Sequence, residues 1–385
     1  MNIRSTPIST CDPVLPVPTR RDAAPISLGF LSVHNPHDRT AFSGTAHFAA
    51  KALGAFPGVN LRILGPHRPP RLSDRVLRRT PSTPEAATLN LDGLDAIVSL
   101  VSTPLLNDLA KRTRLPLLHV TDATPSFLRT AYGWDIPHAA DAAEAEAIAN
   151  AAAVIYSSGF MAGQAQRDFG AGFAPCVAPF GVNFNETPLL CPEKPALERL
   201  ELLFVCSDWA RKGGETALAA LEALRKAGQP AHLTVVGRMP DALKTHPDIT
   251  FVGFLNKNRT RAAARLARLY ARAHLLLLPS AADCTPMVLA EAMAHGTPVL
   301  ATETGGVTEA IENARKVVGR TLPVSAEAII WASEIRAMTA DPAVYRAMSM
   351  AAFEHCNVQL SWQAWSAKIV TIARNALFEA TARAA

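Results

Sequence analysis

Asp283 and Glu291 are two carboxylates with seven residues between them, set between an apolar run and a Gly-Thr-Pro break. The run 274–279 is typical of a buried strand, and 287–295 is typical of a helix that Gly296 ends. Both acids are therefore expected at the carboxyl end of a parallel sheet, where open α/β folds bind ligands. An ionised carboxylate accepts two hydrogen bonds from a diol, so the pair favours a ribose or a hexose as ligand.

Two cations, Arg211 and Lys212, follow the apolar run 201–206 and precede Gly213-Gly214. Fixed cations at the end of a strand can meet the negative charge of a bound anion. The loop 207–214 has the composition for this task. The alternative interpretation, a basic turn on the surface, stays open.

Glycines stand before two predicted helices. Gly44 precedes an alanine-rich helix after the first strand, 26–32, and Gly305-Gly306 precede a helix that starts at Val307. Glycine lets the backbone approach a phosphate closely, and a helix N-terminus favours an anion. Each signal is weak alone, because an ordinary turn gives the same pattern.

The segment Asp283-x7-Glu291, followed by Gly305-Gly306-x-x-Glu309, resembles the donor-site signature of family 4 glycosyltransferases. That signature is normally Glu-x7-Glu, so Asp283 departs from it by one methylene. The resemblance covers about residues 30 to 365. It implies the GT-B fold, an α/β architecture of two Rossmann-like, doubly wound domains facing a central cleft. It also implies a retaining, metal-independent transfer.

The resemblance assigns roles to the motif residues. It implies that Glu291 binds the ribose hydroxyls, that Asp283 holds sugar hydroxyls, and that Glu309 belongs to the donor site. It implies a diphosphate site formed by the following residues: Arg211, Lys212, Gly44, Gly305 and Gly306. Ser207 stands where the family has an arginine, and Arg211 is the neighbour that could replace it.

The first half of the chain offers further candidates. Asp122 follows the predicted strand 115–120, so it is the better candidate for the cleft and is predicted to be a catalytic residue. His119 lies inside the strand and is interpreted as a core histidine. His34 and His37, in the first loop, are weaker acceptor-side candidates.

Strand and helix patterns alternate along the chain, which indicates parallel sheets with helices on both faces. The 385 residues suffice for two domains. We expect a flexible tail at 1–24, an acceptor domain at 25–190 and a donor domain at 191–359. A C-terminal helix, about 360–385 with Ser361 as its N-cap, is expected to return to the first domain.

The composition of the chain indicates the cellular compartment in which the protein is expected. The chain has no apolar run of the roughly 18 residues that cross a bilayer, and its polar start lacks the apolar stretch of a signal peptide. Six cysteines without pair spacing fit reduced thiols. A cytoplasmic protein, or one peripheral to the inner face of the membrane, is expected.

Charge suggests one further partner. The net charge is +5, and a basic cluster runs from Arg62 to Arg79. Its alternative interpretations are a solvated surface and attraction to anionic lipid headgroups, which suits an enzyme with lipid-linked acceptors. Four arginines between 261 and 272 share one helical face. The same two interpretations, solvated surface and attraction to anionic lipid, apply to them. No nucleic-acid recognition motif is present.

The sequence thus predicts an enzyme that moves a sugar from a nucleotide-diphosphate donor to a glycan or lipid-linked acceptor hydroxyl, as in bacterial cell-surface polysaccharide or glycolipid synthesis. We expect no cofactor, since the nucleotide sugar is a substrate, and no metal, since Asp-x-Asp is missing. The alternatives are a GT-B epimerase or phosphorylase and a non-catalytic nucleotide-sugar-binding protein. A Rossmann dehydrogenase would need Gly-x-Gly-x-x-Gly after its first strand, which this chain lacks.

Overall fold

The computed structural model describes residues 24–67, 85–312 and 314–384. The predicted tail up to residue 23, Cys11 and the basic cluster from Arg68 to Arg79 lie outside these residues. The chain divides into two compact units, Met1–Pro179 with Trp362–Ala385, and Phe180–Ser361. The sequence-based boundary at 190/191 lies a little further along the chain. Val182 and Phe184 pack into the core of the second unit.

Strands and helices alternate in both units. The strands are β1 (Ile26–Ser32), β2 (Val59–Ile63), β3 (Ala96–Leu100), β4 (Leu117–Thr121), β5 (Ala153–Tyr156), β6 (Cys176–Val177), β7 (Leu200–Cys206), β8 (Ala231–Gly237), β9 (Ile249–Gly253), β10 (Leu275–Leu278), β11 (Val299–Thr302) and β12 (Gly319–Leu322). The helices are α1 (Thr45–Gly54), α2 (Thr103–Ala110), α3 (Pro125–Thr130), α4 (Ala139–Asn150), α5 (Gly159–Phe169), α6 (Gly214–Lys226), α7 (Thr260–Arg272), α8 (Met287–Met293), α9 (Val307–Glu312), α10 (Ala328–Thr339), α11 (Pro342–Gln359) and α12 (Trp362–Ala384).

Each unit is built on a parallel sheet. In the described residues, the first sheet has the order β2-β1-β3-β4-β5-β6 and the second β12-β11-β10-β7-β8-β9. All pairings are parallel. Parallel strands need helical crossovers, which cover the faces of the sheet.

Helices cover both faces of the second sheet, as the alternation along β10 shows. Leu275 and Leu277 enter a core with Trp331 of α10. Leu276 and Leu278 point to the opposite face and pack into a second core with Met293 of α8. Successive residues of a strand point to opposite faces, so four consecutive leucines are needed to fill both cores.

The strand order of the second unit creates a crevice at one position. From β7 the chain adds β8 and β9 on one side, then crosses over to add β10, β11 and β12 on the other. The loops after β7 and β10 therefore leave the sheet from neighbouring strands in opposite directions. In doubly wound sheets, this switch point beyond the carboxyl ends of the strands is where ligands bind.

Among the residues that the structure describes, no helix combines the length and the apolar character that crossing a bilayer requires.

The backbone at the end of β8 has a conformation that requires a glycine. Substitution of this glycine should lower the stability of the fold. Gly237 has φ +110°, and a Cβ there would lie 1.7 Å from the Cys206 carbonyl oxygen. We expect Gly237→Ala to lower the free energy of unfolding by about 2–4 kcal/mol, because backbone strain and a steric clash act together. Gly228 also has a positive φ, +79°, but nothing lies within 4 Å of its Cβ position. Gly228→Ala should cost only about 1 kcal/mol. Urea unfolding of both variants measures the difference, and equal losses would contradict the clash argument.

Candidate active site

The loops after β7 and β10 are tied together at the switch point of the second unit. The Ala281 N–H donates to the Arg211 carbonyl at 2.8 Å. The Arg211 guanidinium donates in return to the Ala282 carbonyl at 2.9 Å. Arg211 thus joins two loops that are 71 residues apart. Arg211 therefore holds the two loops in place and also adds positive charge to the site.

The next pair along these loops is ionic. The Lys212 ammonium donates to a carboxylate oxygen of Asp283. Both side chains are buried. The Ser280 hydroxyl donates to the same Asp283 oxygen at 3.3 Å. Burial of an ion pair is tolerated only when charge and hydrogen bonds are both matched, and removing one partner leaves an uncompensated charge. The structure therefore places Lys212 and Asp283, predicted separately from the sequence, in direct contact.

Glu291, in the second turn of α8, is held by two partners that the sequence analysis did not single out. Lys257 Nζ lies 2.9 Å from its Oε1, and the Tyr270 hydroxyl donates to its Oε2 at 3.0 Å. Burial, and then the neighbouring Glu291 carboxylate, raises the pKa of Tyr270 well above its usual value. Tyr270 consequently stays neutral and keeps its proton for the carboxylate.

A layer behind Glu291 fixes its position. The His295 ring stacks on the Tyr270 ring with 5.7 Å between centroids, and its Nδ1–H donates to the Glu291 carbonyl at 2.8 Å. Lys194 supports both residues from the chain before β7. Its Nζ lies within 3.3 Å of four oxygens: the carbonyls of Tyr270, Ala271 and His295 and the hydroxyl of Thr297. Burial lowers the pKa of Lys194 to about 7. In its protonated form Lys194 also complements the dipoles of α7 and α8, because it lies at their carboxyl ends.

The glycine loop between β11 and α9 contacts Asp283 from the other side. Gly305 has φ +53°, and a Cβ there would lie 1.9 Å from the Asp283 carbonyl oxygen. The Gly306 N–H donates to that carbonyl at 3.2 Å. This loop therefore supports the backbone of Asp283. Its predicted contact with a diphosphate stays a prediction, as does the role of Glu309, which is half-buried in the first turn of α9.

In the first unit, the sequence-predicted residues lie at the carboxyl edge of the sheet. Asp122 follows β4 and is half-buried. Gly44 is the N-cap of α1 with φ +94°, directly after two further residues with positive φ. His34 stacks on Phe42 with ring centroids 4.8 Å apart. Positive φ in non-glycine residues is strained, and such strain is concentrated at functional sites. The substrate-binding roles of Asp122, Gly44, His34 and His37 stay predictions.

His119 has the environment of a core histidine. It is fully buried, and its Nε2 lies 2.8 Å from Glu144 Oε1. The pKa of Glu144 is lowered despite burial, which by itself would raise it, because His119 and the Thr103 hydroxyl stabilise the carboxylate. This pair fastens α4 to β4.

The sequence analysis also missed Arg238. It follows β8, next to the end of β7, and its side chain is exposed. The signal available was its place directly after a predicted strand and Gly237. For Lys257 and Tyr270 no local pattern points to Glu291, because those contacts form only when α7 and α8 pack together.

Ion pairs match most of the charges in the second-unit site. Lys212 pairs with Asp283 and Lys257 with Glu291. Arg211 lies 3.9 Å from the carboxylate of Asp208. Within the described ranges, no group of three or more His, Cys, Asp or Glu side chains is placed to hold a metal ion.

The site lies within a recognisable domain. Residues 199–341 match the family model described as Glycosyl transferases group 1. Over these residues the chain is similar to the group 1 glycosyltransferases. The matched region contains β7 to α10 and therefore both tied loops, Lys257 and Glu291.

Curated relatives agree over part of the chain. The D-inositol 3-phosphate glycosyltransferase of Segniliparus rotundus is 29% identical over 173 residues, 43% of this chain and 38% of that protein. The glycogen synthase of Mycobacterium tuberculosis is 29% identical over 205 residues, 51% of this chain and 47% of that protein. The chain thus spans less than half the length of these relatives.

Solved structures share the fold over most of the chain. A sucrose-phosphate synthase from Thermosynechococcus elongatus gives a TM-score of 0.68 at 20% identity, covering 92% of this chain and 100% of that one. A glycosyltransferase from Rickettsia africae gives 0.65 at 14% identity, covering 92% and 99%. Anabaena HepE, solved with UDP and glucose, gives 0.61 at 15% identity, covering 91% and 100%. The predicted GT-B fold, with two Rossmann-like units, is confirmed.

Proposed function

We propose that this chain is a retaining glycosyltransferase that transfers a sugar from a nucleotide-diphosphate donor to an acceptor hydroxyl. The observation that carries the proposal is the buried Lys212–Asp283 pair at the switch point between β7 and β10. A cation and a hydroxyl-binding carboxylate there occupy the position where an α/β sheet binds its ligand. The family match over 199–341 supports the same assignment.

The donor is proposed to bind along the carboxyl edge of the second sheet. Glu291 would accept hydrogen bonds from the two ribose hydroxyls, and Asp283 would accept them from the sugar. Each carboxylate is already paired with a lysine, so its charge and orientation are set before the donor arrives. Such preorganisation lowers the cost of binding and of reorganisation during reaction.

The leaving diphosphate is proposed to be stabilised by Lys212, with Arg211 and Arg238 adding charge. Lys212 can donate to a phosphate oxygen while its pairing with Asp283 loosens, since an ammonium has three donors. This cation supply is why we propose that transfer needs no divalent metal. The roles of Gly44 and the Gly305-Gly306 loop at the diphosphate remain part of the proposal.

Retention of configuration is proposed to follow front-face attack. In that scheme the donor phosphate oxygen accepts the acceptor proton, and no side chain acts as nucleophile. One oxygen of Asp283 already accepts from Lys212 and Ser280, which suits a binding role. The acceptor is proposed to be a glycan or lipid-linked hydroxyl of the kind used in cell-surface polysaccharide or glycolipid synthesis.

A thermal-shift screen tests the donor class. The full chain is heated with UDP, GDP, ADP and TDP sugars, each with and without EDTA. A ligand at a hundred times its Kd stabilises the folded state by about 2.7 kcal/mol, so the correct donor should raise Tm clearly and should do so in EDTA. Product formation is then followed with that donor, and the anomeric configuration of the product is read by NMR.

Three results would contradict parts of the proposal. If no nucleotide sugar raises Tm, the donor site is wrong. If EDTA abolishes transfer and manganese restores it, an ion holds the diphosphate. Binding without transfer to any acceptor hydroxyl would favour the non-catalytic nucleotide-sugar-binding protein.

A further inference from the structure

Four aromatic rings form a connected chain on the first unit, at the edge where β4 and β5 end. Trp134 and Tyr132 lie 5.1 Å apart between centroids, Tyr132 and Phe127 5.9 Å, and Phe127 and Phe160 5.8 Å. All three contacts are edge-to-face. We call Trp134, Tyr132, Phe127 and Phe160 the aromatic platform.

The two end rings of the platform are exposed, whereas an inner ring is buried. Trp134 is 50% exposed and Phe160 39%, while Phe127 is 8% exposed. Edge-to-face packing against fixed neighbours holds the exposed rings in place with little entropy left to lose. Singly exposed apolar residues are common, whereas connected exposed apolar groups mark interaction sites.

Hydrogen bonds join the two helices that carry the platform. Phe127 is in α3 and Phe160 in α5. Asp168 of α5 accepts hydrogen bonds from the hydroxyls of Thr124 and Ser126, at the start of α3. Both helices begin just after strands of the parallel sheet, β4 and β5. The platform therefore lies at the carboxyl edge of the sheet, where this class of fold binds ligands.

The charge around the platform selects the kind of ligand. In residues 121–141 the acids are Asp122, Asp135 and Asp141, and the only cation is Arg129. Arg129 already donates to Asp141 at 2.6 Å. An acidic surface repels anionic lipid headgroups. Carboxylates do accept hydrogen bonds from hydroxyl groups, which cover the rim of a sugar ring.

We propose that the aromatic platform binds the acceptor as a neutral glycan, with a sugar ring lying flat on Trp134. This inference rests on the proposed transferase function for its kinetic consequence, but not for the binding itself. The apolar face of a pyranose covers the indole, and its equatorial hydroxyls reach the carboxylates. The acceptor class is then a saccharide recognised by its ring face.

Saturation-transfer NMR on the full chain tests binding. The probes are neutral oligosaccharides of glucose, galactose, mannose and N-acetylglucosamine. We expect at least one of them to receive saturation in its ring protons, and Trp134→Ala to reduce that signal about tenfold. Trp134→Tyr, which keeps a flat ring, should restore most of it. Phe378→Ala removes a 74% exposed aromatic of α12 in the same unit and should change nothing.

Acceptor kinetics and vesicle binding distinguish a glycan-binding platform from a lipid-binding one. With an active donor–acceptor pair, Trp134→Ala should raise the acceptor KM about tenfold while donor hydrolysis and nucleotide binding stay unchanged. The inference is overturned if none of the probes binds to the wild type, or if Trp134→Ala binds as well as the wild type. It is also overturned if Trp134→Ala loses binding to phosphatidylglycerol vesicles instead. Glycan binding without any transfer would leave the platform standing and reject only the proposed function.

Discussion

Lys212→Ala is expected to lower kcat by about a hundredfold or more, the scale of losing one preorganised electrostatic group. The ammonium is buried at the switch point, and its position is set by Asp283. Negative charge on the diphosphate grows as the glycosidic bond breaks. An interaction that strengthens during bond cleavage affects turnover more than binding, so KM for the donor should change much less. Steady-state kinetics with the donor found by thermal shift give both parameters.

Controls must separate catalysis from the cost of an unpaired acid, because Lys212→Ala leaves the Asp283 carboxylate buried alone. The double variant Lys212→Ala with Asp283→Asn removes that charge. Asp283→Asn alone is the reference, because that carboxylate is proposed to hold the sugar. If the double variant has a much lower kcat than Asp283→Asn, the lysine acts on the reaction. Lys226→Ala, at the exposed end of α6, is the matched surface control. A kcat near the wild-type value in Lys212→Ala would remove the leaving-group role of this loop.

The loss of kcat in Arg211→Ala can be compared with the loss in Lys212→Ala. Its guanidinium donates to the Ala282 carbonyl, next to Asp283 in the chain. A smaller loss than for Lys212→Ala would indicate that Arg211 mainly holds the loop, and an equal loss would indicate a direct contact with the diphosphate.

Glu291→Gln is expected to weaken nucleotide binding by about ten- to a hundredfold, the equivalent of 1.5–3 kcal/mol for one charge-assisted hydrogen bond. The amide keeps the shape of the side chain but loses the charge that pairs with Lys257. It can also accept fewer hydrogen bonds from the ribose. Calorimetric titration with the matching nucleoside diphosphate measures the change.

A deoxynucleotide makes this test specific for the ribose. The wild type should bind the 2′-deoxy nucleotide more weakly, and Glu291→Gln should show little further loss for it, since the 2′-hydroxyl that the carboxylate would bind is already absent. Tyr270→Phe, which removes one donor to Glu291, should give a smaller effect. Glu222→Gln on α6 is an exposed control. If the deoxy penalty persists in Glu291→Gln, the ribose is bound elsewhere.

The sequence alone determined the local elements and which residues are candidates for the site. The run 274–279 contains β10, and 287–295 contains α8, because four leucines and a helix-ending glycine are local signals. The spacing of Asp283 and Glu291 follows from one loop and one helix. Alternation of strand and helix sufficed for two parallel sheets, since parallel pairing needs long crossovers.

Some secondary-structure elements have no sequence pattern that predicts them. Strand β12 and helices α10 and α11 were not predicted. In α10, Ile329 and Ile330 are exposed while Trp331, Ala332 and Ile335 are buried, so apolar residues surround the helix and hide its inward stripe.

Tertiary structure alone decided which side chains meet. The order of strands places β7 beside β10, and only then can Lys212 reach Asp283 across 71 residues. The partners of Glu291 come from the loop before α7 and from α7 itself, and the aromatic platform from two helices after separate strands. The periodicity of a sequence indicates the secondary structure of a segment and which face of it each side chain occupies. These contacts depend instead on how elements distant in sequence pack together, and no local sequence pattern contains that information.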